Sequence, residues 1–145
     1  MKKIAISTIF NVCNYGTVLQ AYATQQLLNQ LGYKSEIIKY IPKRVSSKNV
    51  LLKSGDSNAK SIIRNIASIV VRMPGNILIR KVFNDFIKEH LVYTESKYET
   101  VEQIRNNLPV ADIFLTGSDQ VWNSKYNEGI DYVYYLDFLP SGKKR

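Results

Sequence analysis

Lys3-Ile4-Ala5-Ile6-Ser7-Thr8-Ile9-Phe10, followed by Asn11-Val12-Cys13-Asn14-Tyr15-Gly16-Thr17, decides the fold. The first run is short, apolar and rich in Ile, as in a strand buried on both faces of a parallel sheet. It ends in the polar loop Asn11 to Gly16. Thr17 to Leu31 is then predicted as a helix, with Leu19, Ala23, Leu27 and Leu31 recurring at i+4 as its apolar stripe. Gly32 stops it. Lys34 to Ile41 is the next strand, closed by Pro42. Strand, polar loop, helix, glycine turn and strand make a βαβ unit, for which a right-handed crossover is expected.

Outward from this unit, Lys43 to about Lys60 is rich in Ser, Lys, Asn, Gly and Asp without periodicity, and reads as a mobile surface loop. Lys60 to Arg72 is predicted helical, with Ile62, Ile63, Ile66, Ile69 and Val70 on one side, and Pro74-Gly75 breaks it. Asn76 to His90 resumes as a helix with Ile79, Val82, Phe83, Phe86 and Ile87 inward. Thr100 and Gln103 fit a capping box for a short helix to about Asn107. Asp112 to Thr116 is a further strand, running into Gly117-Ser118-Asp119. Tyr132 to Leu139 is either a strand or a packed loop. The fold class is therefore α/β: a Rossmann-like parallel sheet flanked by helices.

The 145 residues make one domain, 45% hydrophobic and 22% charged, which excludes global disorder. A lone cysteine, Cys13, excludes an internal disulfide. With one histidine, His90, no His-Cys or His-His metal cluster forms within the chain, and no metal is expected. Met1-Lys2-Lys3 followed by Ile4 to Val12 imitates a signal peptide, with Ala21-Tyr22-Ala23 resembling a cleavage site, but Ser7, Thr8, Asn11, Asn14 and Gly16 interrupt the apolar run before it makes a proper h-region. No apolar run approaches the roughly 20 residues of a membrane span. A cytoplasmic location is expected, with the inner membrane surface as an alternative. The net charge of +8 is uneven: residues 43–90 carry +7, whereas residues 91–142 carry −5. The basic block is a solvated helix face or an anion-attracting surface. The tyrosines do not interleave with it, so specific nucleic-acid binding is not expected.

Two loops concentrate the chemistry, because both follow predicted parallel strands and open α/β sheets bind ligands at the strands' carboxyl ends. The first contains Asn14, Gly16 and Thr17 at a helix start. It is either an ordinary capped turn or a place where backbone N–H groups meet an anion and Asn14 holds a ligand hydroxyl. The second is Thr116-Gly117-Ser118-Asp119-Gln120-Val121-Trp122-Asn123. Its hydroxyl, carboxylate, amides and indole suit a polyhydroxylated ligand, with Trp122 on a sugar face. The alternative is a capped turn with Trp122 as a core anchor. Candidate ligand-binding residues are Asn14, Gly16, Thr17, Gly117, Ser118, Gln120, Trp122 and Asn123. Asp119, the only carboxylate of either loop, is the candidate catalytic group.

In order along the chain, Asn14-Tyr15-Gly16-Thr17-Val18-Leu19-Gln20-Ala21-Tyr22-Ala23, Leu31-Gly32-Tyr33, Ile37 to Tyr40 with Pro42, Gly117-Ser118-Asp119-Gln120-Val121-Trp122-Asn123 and Tyr135-Leu136-Asp137-Phe138-Leu139-Pro140 resemble the N-terminal half of the polysaccharide pyruvyl transferase family. The resemblance implies one half of a GT-B-like two-domain fold. It implies transfer of a pyruvyl group from phosphoenolpyruvate, as donor substrate and without a cofactor, to two hydroxyls of a saccharide in a cell-surface polysaccharide precursor, giving a ketal. It also implies that residues 1–145 are the N-terminal Rossmann-like domain, lacking a C-terminal donor-binding domain. This half alone is then expected to be inactive, to need that domain or a partner chain, and to self-associate through its interdomain face. A non-catalytic glycan or sugar-nucleotide binding module is the alternative.

Overall fold

The computed structural model of the chain describes residues 1–42, 77–117 and 120–140. The predicted 43–60 loop, the 60–72 helix, Pro74-Gly75, Ser118, Asp119 and residues 141–145 lie outside them.

Among the described residues, three parallel strands form the sheet: β1 (Lys3–Ser7), β2 (Lys34–Ile37) and β3 (Ile113–Thr116), in the order β2-β1-β3. β1 is central. Ile4 stands opposite Ser35 on one side and Ile113 on the other, and Ser7 opposite Thr116. The predicted strand Lys3 to Phe10 is thus shorter than its apolar run. β3 gives out at Thr116, so β1 has no ladder beyond Ser7. Ile9 and Phe10 are buried anchors in the following loop, one in each core. β2 shortens for a related reason. Beyond Ile38, whose N–H donates to Ile6 O at 2.8 Å, the backbone turns to residues 92–98. There Tyr93 and Tyr98 bridge in parallel to Ile37 and Tyr40.

The sheet is covered on both faces. On one lie α1 (Tyr15–Gln30) and α2 (residues 77–90). Ile4 and Ile6 meet Val18, Ala21, Phe83, Ile87 and Leu91 there. On the other lie α3 (Val101–Asn106) and residues 120–139, where Ala5 and Phe114 meet Ile104, Val121, Val133 and Phe138. Alternate β1 side chains feed the two cores because the strand period is two.

The ends of α1 follow directly from its sequence. Asn14 caps the start, its Oδ1 accepting the Thr17 N–H at 3.1 Å. Gly32 sits at φ +83°, and the N–H groups of Gly32 and Tyr33 donate to Asn29 O and Leu28 O, closing a Schellman turn. The face that α1 buries differs from the predicted one. Thr17, Val18, Ala21 and Gln25 are buried, whereas Leu19, Leu27 and Leu31 are 51%, 57% and 63% exposed. Residues 17, 21 and 25 are also spaced by four. The sheet takes this ridge of smaller side chains, which lets the helix approach closely. In α2, Phe83 and Ile87 are inward and Phe86 half-buried as predicted, but Ile79 and Val82 are exposed.

Thr100 caps α3, accepting the Gln103 N–H at 3.3 Å. The reciprocal bond of the box runs one residue further out, from Glu99 N–H to Gln103 Oε1 at 2.7 Å. Tyr132 to Leu139 forms successive turns rather than a strand. Leu136 takes a left-handed φ of 58° while buried, and Arg105 holds the next residue, Asp137, at 2.7 Å. At the end of α2, His90 packs tilted against Phe86 and edge-on against Tyr22, which fits a structural role.

Candidate functional site at the β1–β3 switch point

From β1, the chain passes through α1 to β2 on one side. It later reaches β3 on the other side of β1. The carboxyl ends of β1 and β3 therefore diverge at a topological switch point, the usual ligand crevice of an open α/β sheet. Both candidate loops start there. The Gly117 N–H donates to Ser7 O at 2.9 Å, so the two loops leave the sheet side by side.

Hydroxyls tie the segment around residues 131–135 over this edge. Ser7 Oγ donates to Val133 O at 3.1 Å, and Thr116 Oγ1 donates to Tyr134 O at 2.9 Å. Asp131 accepts from the Tyr40 hydroxyl at 3.1 Å and from the Val133 N–H at 3.2 Å. Burial, partly offset by a hydrogen bond with Ser96, raises the Tyr98 phenol above its usual range.

In the first loop, Asn14 and Thr17 form the cap. Thr17 is buried, and its Oγ1 donates to Asn14 Oδ1 at 3.4 Å. A Cβ on Gly16 would lie 3.3 Å from the same oxygen, so glycine leaves room for the cap. The cap satisfies one of the orphan N–H groups at the helix start, and those of Tyr15 and Gly16 lie outside the helix's own ladder. Cys13 is exposed.

In the second loop, Gln120–Trp122 forms a 3-10 turn. Gln120 Oε1 accepts from Asn123 Nδ2 at 2.6 Å, and Asn123 Oδ1 accepts the Lys125 N–H at the start of α4 (Ser124–Asn127). Asn127 Nδ2 donates to Val121 O at 2.7 Å. Val121, not Trp122, is the core anchor: Val121 is fully buried and Trp122 is 59% exposed. The indole is thus free of the core and close in sequence to the switch point.

The sheet brings Asn14, Gly16, Thr17 and Gly117 to one edge, with Gln120, Trp122 and Asn123 on the turn that follows. Ser118 and Asp119 lie outside the described residues. The described residues of the two loops present amides, hydroxyls, aromatic rings and the Cys13 thiol. Such groups recognise hydroxyls well.

Sequence reasoning missed Thr8, Gln20 and Asn127. Thr8 hides in the apolar run after β1, and Gln20 lies within a recognised motif without a signal of its own. A cleft of about 340 Å³ is lined by Tyr40, Glu99, Glu102, Asp131 and Tyr132 among others, and by no described residue of either motif loop. Its carboxylates have the wrong sign for a phosphorylated, carboxylated donor.

Among the described residues, no helix is long and apolar enough to cross a membrane. No curated protein matches the chain. No solved structure matches it either. A family model described as polysaccharide pyruvyl transferase matches residues 14–145, from the Asn14 cap through both motif loops to the last residue. By that match, over far more than half its length, the chain belongs to the polysaccharide pyruvyl transferase family.

Proposed function

We propose that this chain is the acceptor-facing Rossmann-like half of a pyruvyl transferase active site. The reaction takes phosphoenolpyruvate and a saccharide with two suitably placed hydroxyls. The donor's methylene carbon gains a proton, which makes the adjoining carbon cationic. One hydroxyl adds there, phosphate leaves, and the second hydroxyl closes the ketal. Each hydroxyl gives up a proton, and the products are the ketal and inorganic phosphate. The step needs a general acid for the enol carbon, a base for the acceptor hydroxyl, and electrostatic support for the cationic centre.

In this proposal Asp119 orients or deprotonates an acceptor hydroxyl. Asn14, Gly16, Thr17, Gly117, Ser118, Gln120 and Asn123 form the polar lining, and Trp122 lies against a sugar face. A further domain or a partner chain supplies most of the groups for the anionic donor, and the interdomain face self-associates when uncovered. The work takes place in the cytoplasm, at or near the inner membrane, on precursors of the cell surface. The observation that carries this reading is the family match over residues 14–145, which includes both loops at the switch point. Exposure of Trp122 supports its stacking role.

The amides, hydroxyls and exposed indole of the loops also suit one other reading, a glycan-binding module without chemistry. Phosphate release from phosphoenolpyruvate by the native gene product, with a panel of sugar nucleotides and lipid-linked sugars, separates the two. Transfer supports the enzyme; saturable sugar binding without phosphate release supports the module. Asp119→Asn is expected to lower turnover by at least about a hundredfold with the circular dichroism spectrum unchanged. Parental turnover would remove Asp119 from the chemistry.

A further inference from the structure

The two strand-end loops meet at one crowded point. A Cβ on Gly117 would lie 2.6 Å from the Cβ of Thr8 and in collision with its Oγ1. Gly117 is outside the left-handed φ region, so space alone requires glycine there. Thr8 cannot swing aside, because it is only 1% exposed. Its Oγ1 donates to Gln20 Oε1 at 3.4 Å. Gln20 is held in turn: its Nε2 donates to Thr24 Oγ1 at 3.0 Å, and Thr24 Oγ1 donates to Gln20 O at 2.9 Å. The missing Cβ of Gly117 would also lie 3.5 Å from Gln20 Nε2.

We propose that Thr8 and Gln20 are positioning residues that set the spacing between the two loops at the switch point. Thr8 is the spacer against Gly117, and Gln20 fixes its side chain from the second turn of α1. Neither touches substrate. They act by holding the mouth of the second loop at a set distance from the start of α1. The consequence for catalysis rests on the transferase reading; the spacing itself does not.

The test pairs substitutions across the contact in the native full-length protein. Two quantities are read: hydrogen exchange of the residue-117 amide, which donates to Ser7 O, and kcat with KM for phosphoenolpyruvate. Gly117→Ala is expected to accelerate that exchange at least about tenfold and to lower kcat about a hundredfold. Adding Thr8→Ala restores neither, because the Thr8 Cβ remains in the way. Adding Thr8→Gly restores amide protection and recovers roughly tenfold in kcat, since it removes that atom.

Gln20→Leu lowers kcat by roughly tenfold at unchanged KM for phosphoenolpyruvate, and Gln20→Glu, which keeps the acceptor for Thr8 but loses the donor to Thr24, lowers it by less. If Gly117→Ala does not fold, recovery of folding by Thr8→Gly but not by Thr8→Ala is the equivalent readout. The proposal is overturned if Thr8→Gly fails to rescue, if Thr8→Ala rescues equally, or if Gln20→Leu keeps parental kcat. A parent that folds but shows no turnover would overturn the transferase reading, while the exchange pattern alone still decides the spacing.

Discussion

Helices α1 and α2 lie on the same face of the sheet, yet they hold to it by different means. α2 does so with large apolar side chains, Phe83 and Ile87. α1 has no charged residue in its 16 positions and turns leucines outward. Its inner ridge is Thr17, Val18, Ala21 and Gln25.

Gln25, 1% exposed, explains the contrast. Its Nε2 donates to Ser35 O at 3.1 Å and Val92 O at 2.8 Å, and its Oε1 accepts the Val92 N–H at 3.0 Å. One amide thus joins β2 to the segment that continues the sheet. A helix lying over unpaired backbone needs a polar partner there, because a buried unmade hydrogen bond costs more than an apolar contact returns. α2 makes its contact through apolar bulk alone, with Phe83 and Ile87 buried and Phe86 packed beside them.

Three substitutions break or sharpen this contrast, each read as a change in urea unfolding free energy. Phe83→Ala removes a buried ring that also meets Tyr15 at 4.8 Å, and is expected to cost about 3–5 kcal/mol. Gln25→Leu keeps the volume but strands the Val92 N–H and the Ser35 carbonyl, while Val92 O keeps the Ile37 N–H at 2.9 Å. A loss of about 2–3 kcal/mol is expected; a neutral result would mean that the polar anchor contributes nothing and the contrast fails. Leu27→Gln, on the outer ridge, should change stability by less than about 0.5 kcal/mol. A larger loss would show that another element covers that face in solution.

Much of the fold was legible because its signals are local. Asn14, Gly32 and Thr100 announce helix ends through their own backbone chemistry, and each end lies within two residues of its predicted place. The Ile-rich run announced a doubly covered strand. That run does not reveal where the strand ends, because buried loop anchors such as Ile9 and Phe10 look like strand residues. The inner face of α1 was not legible. Residues 17, 21 and 25 and residues 19, 23, 27 and 31 share one period, and hydrophobicity favours the leucines. Only the sheet, with its need for close approach and for a polar partner at Gln25, selects the other ridge. For the site, Asn14, Gly117 and Trp122 stood out by residue type. Thr8 and Gln20 did not, since their importance lies in what they touch across 109 and 97 residues of sequence separation from Gly117.

By itself the sequence determined the βαβ beginning, the caps, the α/β class and the family, because each depends on residue identity and short spacing. The tertiary structure alone decided that β3 lies beside β1. That choice places the two motif loops against each other, leaves Trp122 outside the core and makes Gly117 obligatory. Strand order and close packing join residues more than a hundred positions apart, and no local pattern carries that information.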